Sequence, residues 1–300
     1  MSASKLETLH SRIKSLEAIP TVPAIVQPLI SMLQLPAEEV KVEKVIELVS
    51  YDKTIAAQCM RMANSPLFGR RETETVRTAV MALGMKRIQA ILMGCCLNMT
   101  VPPDKWAFDA LTFWRHSLGC ALVSRKMAQL IGYPDPEKAY LAGLLHDLGI
   151  LVSSLVCTED FRKCVKVAAE EHLALHQAEE RYLGFTHCQS GKILADQWRL
   201  PSDVIEVIES HHDAEVSSEA GPLLPLVRLS DLLCRVRDLG YGYYEVLGID
   251  LAGDSAWALL VRHYPALGNI DLARFTMDID GAMDEIVAVV DTVFSGTAAK

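Results

Sequence analysis

Strand signals are nearly absent from these 300 residues: no run of alternating β-branched residues is bounded by hairpin turns, which argues against a sandwich, a barrel or a parallel sheet. No C-x-x-C pair occurs among the eight cysteines, at 59, 95, 96, 120, 157, 164, 188 and 234. They sit mostly inside apolar helical patterns, so they read as buried free thiols of a reducing compartment rather than a disulfide framework. No Lys/Arg run exceeds two residues and the formal net charge is -9, so general attraction to nucleic acid or an anionic membrane is disfavoured. The first twenty residues, MSASKLETLHSRIKSLEAIP, lack the basic and then apolar order of a secretory signal. A cytoplasmic protein is expected. Internal repeats and low-complexity tracts are also missing.

What is present is apolar spacing of three and four, recurring from Leu6 to Val293 in a chain that is 50% hydrophobic. The expected fold is all-α, in two helical layers. Helices are predicted around 4–17, 23–34, 41–50, 53–63, 76–83 and 85–99, punctuated by Pro20, Pro23, Pro36 and the loop GRRETET at 69–75. VPPDK at 101–105 is the clearest breaker, and further helices are predicted near 107–131, 137–156, 159–182, 187–198, 202–212 and 222–238. This gives an N-terminal helical subdomain at 1–101 and a helical bundle at 102–240, with a C-terminal extension at 241–300 packed on the bundle. The apolar run from Ala139 to Cys157 is nearly long enough to span a bilayer, but Asp147 at its centre would be costly in hydrocarbon. A buried helix, with no membrane insertion, is the better reading.

That run contains LLHDLGIL, 144–151, and a carboxylate buried there needs a cation, donors or water. Company is found on other helices. Phe113, His116, Cys120, Val123, Met127 and Leu130 form one stripe. His187, Gly191, Leu194 and Trp198 form another, and Val204, Ile208 and His211 or His212 a third. Leu224, Val227, Asp231 and Cys234 form a fourth, with Asp231 its only charged member. Taken singly, an inward His is usually a hydrogen-bonded core residue and a buried Asp a cap. Taken together, one shared divalent cation is more economical, because it supplies the charge both carboxylates need. A His/Asp donor set without thiolate suits iron, manganese, zinc or nickel and argues against a cysteine-type structural zinc site.

The order His116, His146-Asp147 and a late Asp231 resembles the HD superfamily of metal-dependent phosphohydrolases, all-helical proteins that bind a metal through those four positions. His187 and the doublet His211-His212 resemble the HD-GYP subset, in which a second metal sits beside the first and Asp147 would bridge the two. IPTVPAIVQPLISML, the Asp52 turn, RMANSPLFG (61–69) and TAVMALGMKRIQAI (78–91) are similar to the amino-terminal half of the HDOD family, a bacterial signalling module. EERYLGFTHCQSGKILADQWRLPSDVIEVIESHHD, 179–213, fits its carboxy-terminal half, so the resemblance covers roughly residues 15–235. It implies one or two divalent metals on His116, His146, Asp147, His187, His211, His212 and Asp231. No catalytic side chain is implied beyond water held by the metals. Glu179 falls where the family has a glutamate, and reads equally as a residue orienting a ligand or as part of a helix surface.

The departures are specific. HD-GYP enzymes follow the HD pair with Gly-Lys, the lysine being implied in phosphate binding, and here the position is Ile150. The Gly-Tyr-Pro after the His doublet is replaced in HHDAEVSSEAG. Both point toward a regulatory module whose partner is a signalling protein or a small phosphorylated ligand, ahead of an active phosphohydrolase and of a metal-free scaffold. The sequence leaves room for an oligomer. His172 and His176 in EEHLALH stand at a helical metal-pair spacing on what reads as a solvated face, and DIDG at 278–281 lacks the remainder of a calcium loop. Arg115 and Lys192 are the nearest sequence candidates for a phosphate, but their positions turn them away from the ligand faces.

Overall fold

All regular structure among the described residues is helical. The computed structural model describes residues 9, 39–51, 53–65, 67, 73–88, 101–213, 221–241, 253–269 and 271–294. The helix expected at 4–17 apart from Leu9, the one at 23–34, residues 89–99 of the one at 85–99, the turn residue Asp52 and most of GRRETET lie outside them.

The first layer comprises α1 (Val42–Tyr51), α2 (Lys53–Ala63) and α3 (Val76–Leu83), which pack on one another. A 3-10 turn at Pro103–Lys105 follows, and then α4 (Ala110–Ile131). Asp109 caps α4 through the Leu111 amide, and Gly132 ends it in the left-handed conformation, at φ 74°, that a Cβ would disfavour. Next come α5 (Pro136–Leu145), α6 (Leu148–Val156), α7 (Thr158–Glu170), α8 (Leu175–Tyr182), α9 (His187–Gln197), α10 (Ser202–Ser210) and α11 (Leu223–Val236). Beyond them lie α12 (Ser255–His263) and α13 (Leu272–Phe294). α4 is the central helix, packing against α5, α11 and α13, while α13 also reaches α2.

Several expectations are corrected. The helix predicted at 137–156 breaks at His146 and Asp147 into α5 and α6, so the carboxylate sits at a helix junction rather than mid-helix. The one at 159–182 breaks at 171–174, where His172 has φ 54°, so His172 and His176 share no helical face. Leu130 is 40% exposed, and the buried stripe of α4 ends at Met127. DIDG, discounted as a calcium loop from the sequence, lies inside α13. Among the described residues one segment, Pro136–Val156, is long and apolar enough to cross a membrane, and 83% of its apolar window is buried inside the protein.

Two glycines set the depth at which this junction is held. A Cβ on Gly143 would lie 2.7 Å from the Cys120 carbonyl oxygen, so α5 crosses α4 with backbones nearly touching. A Cβ on Gly149 would overlap the His187 carbonyl oxygen, and Gly191 faces Gly149 across the same contact between α6 and α9. The HD pair is thereby pressed between α4 and α9, the helices that carry His116 and His187.

Candidate metal centre

Separate helices deliver the charged and imidazole groups. His116 lies in the middle of α4, and His146 and Asp147 occupy the α5–α6 junction. His187 is the first residue of α9, placed there by a capping box between Thr186 and Gln189. His211 and His212 follow α10, and Asp231 lies within α11. Asp147 stands at the N-cap position of α6, yet its carboxylate makes no capping bond and faces the histidines instead. His116, His146, Asp147, His187, His211 and Asp231 are each at most 3% exposed, while His212 is half-buried.

The two Asp147 oxygens divide the centre. Oδ1 lies 3.3 Å from His187 Nε2 and 3.2 Å from His211 Nε2. Oδ2 lies 3.2 Å from His146 Nε2 and 3.5 Å from His116 Nε2, and it also accepts from the Tyr241 hydroxyl. On the second side, Asp231 Oδ1 is 3.3 Å from His116 Nε2 and 4.0 Å from His146 Nε2. His116 and His146 face each other through their Nε2 atoms at 3.3 Å. Two groups of closely spaced donor atoms result: His116, Cys120, His146 and Asp231, and then Asp147, His187, His211 and His212.

The far sides of the rings determine what the near sides are. His116 Nδ1 is 2.7 Å from the Leu239 carbonyl, His146 Nδ1 2.8 Å from that of Gly143, and His211 Nδ1 3.1 Å from that of Val207. His187 Nδ1 is 2.6 Å from Glu179 Oε2, which also accepts the His187 amide. Carbonyl and carboxylate oxygens only accept, so each Nδ1 is the donor and each neutral ring presents its lone pair at Nε2. Lone pairs directed at carboxylate oxygens 3.2–3.5 Å away repel unless a proton or a cation lies between them. His187 Nε2 is fully enclosed with no hydrogen-bond partner.

Protons supply part of the charge required there. Burial opposes charge on Asp147, but the imidazoles around it outweigh that and hold its carboxyl well below the usual range. Burial pushes His146 down to about 4, against the pull of Asp147. Burial also opposes a proton on His187, which Glu179 overcomes, and His211 is raised to about 9 by Cys188 and Asp147. Without metal, Asp147 is therefore balanced by charging imidazoles deep in the bundle. A divalent ion would supply that charge through the Nε2 lone pairs, each ring already oriented by a bond at Nδ1 as ligating histidines are. The 3.3 Å separations match the edge of a tetrahedron of ligands about 2.0–2.1 Å from a metal. The donor set fits a divalent transition metal.

The neighbours of the centre were read unevenly from the sequence. Tyr241 follows α11 in irregular chain, stacked among Phe113 and the His116 ring. Arg235 forks onto Asp231 one helical turn away, a pairing that i,i+4 spacing encodes. Cys120 was legible only as an apolar member of the α4 stripe. His176 stacks on His212 with ring centroids 4.6 Å apart, so it borders the second group instead of facing solvent. Glu179 is buried rather than part of a helix surface. Arg115 pairs with Asp291 and Lys192 with Glu209, both away from the centre.

An all-helical bundle that gathers imidazoles and carboxylates from separate helices around an HD pair defines an HD-type domain. The sequence profile of the HDOD domain matches residues 19–214, and the chain belongs to the HDOD family. A Geobacter sulfurreducens HDOD domain protein of unknown function superposes with a TM-score of 0.77 at 29% identity, covering 96% of this chain and 99% of that one. A Shewanella amazonensis protein provisionally named a phosphohydrolase has a TM-score of 0.69 at 19% identity, covering 94% and 98%, and shares the fold. An uncharacterized Treponema pallidum protein is 25% identical over 238 residues; these span 77% of this chain and 45% of that protein's length.

Proposed function

We propose that this protein is a bacterial, cytoplasmic HDOD signalling module that holds one or two divalent transition metals and acts by regulation or protein interaction. The carrying observation is the convergence of four Nε2 atoms, each fixed by an acceptor at Nδ1, on the two oxygens of Asp147. His116, His146, Asp147 and Asp231 would hold one ion, and Asp147, His187, His211 and His212 the other. The partner is a signalling protein or a small phosphorylated ligand.

Three features favour regulation over turnover. Six of the seven ligand candidates are almost fully enclosed. Ile150, at the position of the HD-GYP lysine, is fully buried and gives phosphate no cation. The guanidinium of Arg235 is already engaged by Asp231. A second reading, metal-dependent phosphodiester hydrolysis on a nucleotide or cyclic dinucleotide, draws on two adjacent donor groups, with Asp147 in the second and its Oδ2 3.2 Å from His146 Nε2 in the first. Two divalent ions there would supply Lewis acidity toward a phosphate ester, and this chain's residues would hold and orient them.

Elemental analysis of protein purified without added metal tests the first reading. One to two equivalents of iron, manganese, zinc or nickel are expected, and Asp147→Ala should lose them and melt earlier. No stoichiometric metal, together with unchanged stability in that variant, would overturn the reading. Turnover of phosphodiesters or cyclic dinucleotides with added iron or manganese, abolished by His146→Ala, would favour the enzyme.

A further inference from the structure

We propose that Cys120 is a thiolate ligand of the first metal, so that the two halves of the centre differ in chemistry: one contains sulfur, the other only nitrogen and oxygen. The proposal rests on the metal-binding reading above. Cys120 Sγ lies 3.5 Å from His116 Nε2, the same atom that is 3.3 Å from both His146 Nε2 and Asp231 Oδ1. Donor atoms of these four residues all lie within 4.8 Å of one another, and every one of the four is buried. Sγ is nearer to Nε2 than to Nδ1, which is 4.0 Å away, so the thiol lies alongside the ring and would turn toward the Nε2 lone pair to share an ion with it.

The helix geometry supports the assignment. His116 and Cys120 stand four residues apart on α4, so both project from one face as a chelating pair. The α5 crossing at Gly143 rests against the Cys120 backbone, which fixes the sulfur relative to His146 three residues beyond that glycine. Cys188, the other cysteine near the centre, is placed differently. Its sulfur is 3.9 Å from His211 Nδ1, the nitrogen turned away from Asp147, whereas Cys120 Sγ, 4.0 Å from His116 Nδ1, is nearer still to Nε2 at 3.5 Å.

Coordination would displace the Cys120 proton to solvent, since a metal-bound thiol is deprotonated. A sulfur donor shifts preference toward zinc or ferrous iron and away from manganese and magnesium. The second group, on Asp147, His187, His211 and His212, keeps the harder preference.

The full-length chain, stripped with a chelator and titrated with cobalt(II), provides the test. A thiolate-to-cobalt charge-transfer absorption in the near ultraviolet is expected; Cys188→Ser should retain it, and Cys120→Ser should lose it while still binding cobalt through the remaining ligands. Cobalt bound without that absorption, or an absorption lost in Cys188→Ser and kept in Cys120→Ser, would overturn the proposal alone. No cobalt binding at all would overturn the metal-binding reading with it. Should Cys120→Ser fail to fold, X-ray absorption of the zinc-loaded native chain decides. A sulfur shell at about 2.3 Å is expected beside nitrogen and oxygen at about 2.0–2.1 Å, and a purely nitrogen and oxygen shell refutes the assignment.

Discussion

Glu179 holds His187 twice through a single atom. One carboxylate oxygen accepts both the His187 ring and the His187 amide, so ring orientation and the start of α9 are set by the same atom. Glu179→Gln should keep the shape but weaken the acceptor, lowering metal affinity at the second group about 10- to 100-fold by competition titration. Affinity unchanged within twofold would show that the ring is oriented by packing alone. Arg235 makes a different case. It neutralises a buried Asp231, and removing one partner of such a pair typically costs about 3–5 kcal/mol. Arg235 is partly exposed, so Arg235→Met should cost less, and less again once metal is bound, because the ion then supplies the charge. Equal melting-temperature losses with and without metal would refute that coupling.

At the scale of elements, the close crossing of α6 and α9 is what brings Asp147 to His187. Gly149→Ala would put a methyl group into the His187 carbonyl, so the helices must separate; a loss of about 1–3 kcal/mol in denaturant unfolding is expected, with weakened metal binding. Gly281 in α13 supplies the control. A Cβ there meets nothing within 4 Å and the position is exposed, so Gly281→Ala should stabilise by up to about 1 kcal/mol through helix propensity. If both substitutions proved equally harmless, the crossing would not be tight. The break between α5 and α6 was not legible, because the run from Ala139 is apolar throughout and periodicity alone does not mark a junction inside it.

Across the whole molecule, the first layer is tied to the HD-like bundle by charge. Arg87 forks onto Glu137 at 2.6 and 2.8 Å, Arg125 reaches the same carboxylate at 2.9 Å, and Lys86 meets Asp135 at 2.7 Å. Burial would raise the Glu137 carboxyl, but the hydrogen bonds and charges of Arg87 and Arg125 hold it below the ordinary range. With its folded value below its unfolded one, its contribution is complete above an unfolded value of about 4.3 and is lost as pH falls through the folded value. Glu137→Gln should therefore destabilise by about 1 kcal/mol at neutral pH and flatten the acid limb of the stability profile. An unchanged acid limb would show that Glu137 is not responsible. Removal of metal should also register globally. An ion present at a hundredfold over its dissociation constant stabilises by about 2.7 kcal/mol, so chelation should lower the melting temperature and resupply should restore it.

The sequence by itself determined the all-α class and, through the 3.6-residue period, which side of each helix turns inward. Hence His116, His187, Asp231 and one of His211 and His212 turn inward on spacing alone, while their grouping with the HD pair is what the family resemblance implies. Periodicity carries no information about how deeply two helices approach or which atoms of two inward residues meet. That Asp147 divides its oxygens between two sets of imidazoles, and that each ring spends Nδ1 on an acceptor from elsewhere in the chain, followed only from the tertiary structure. Tyr241, 94 residues from Asp147, and Cys120, indistinguishable in the pattern from a core apolar residue, enter the centre for the same reason. Glycine-permitted crossings, set by backbone contact and not by side-chain polarity, decide which inward groups become neighbours.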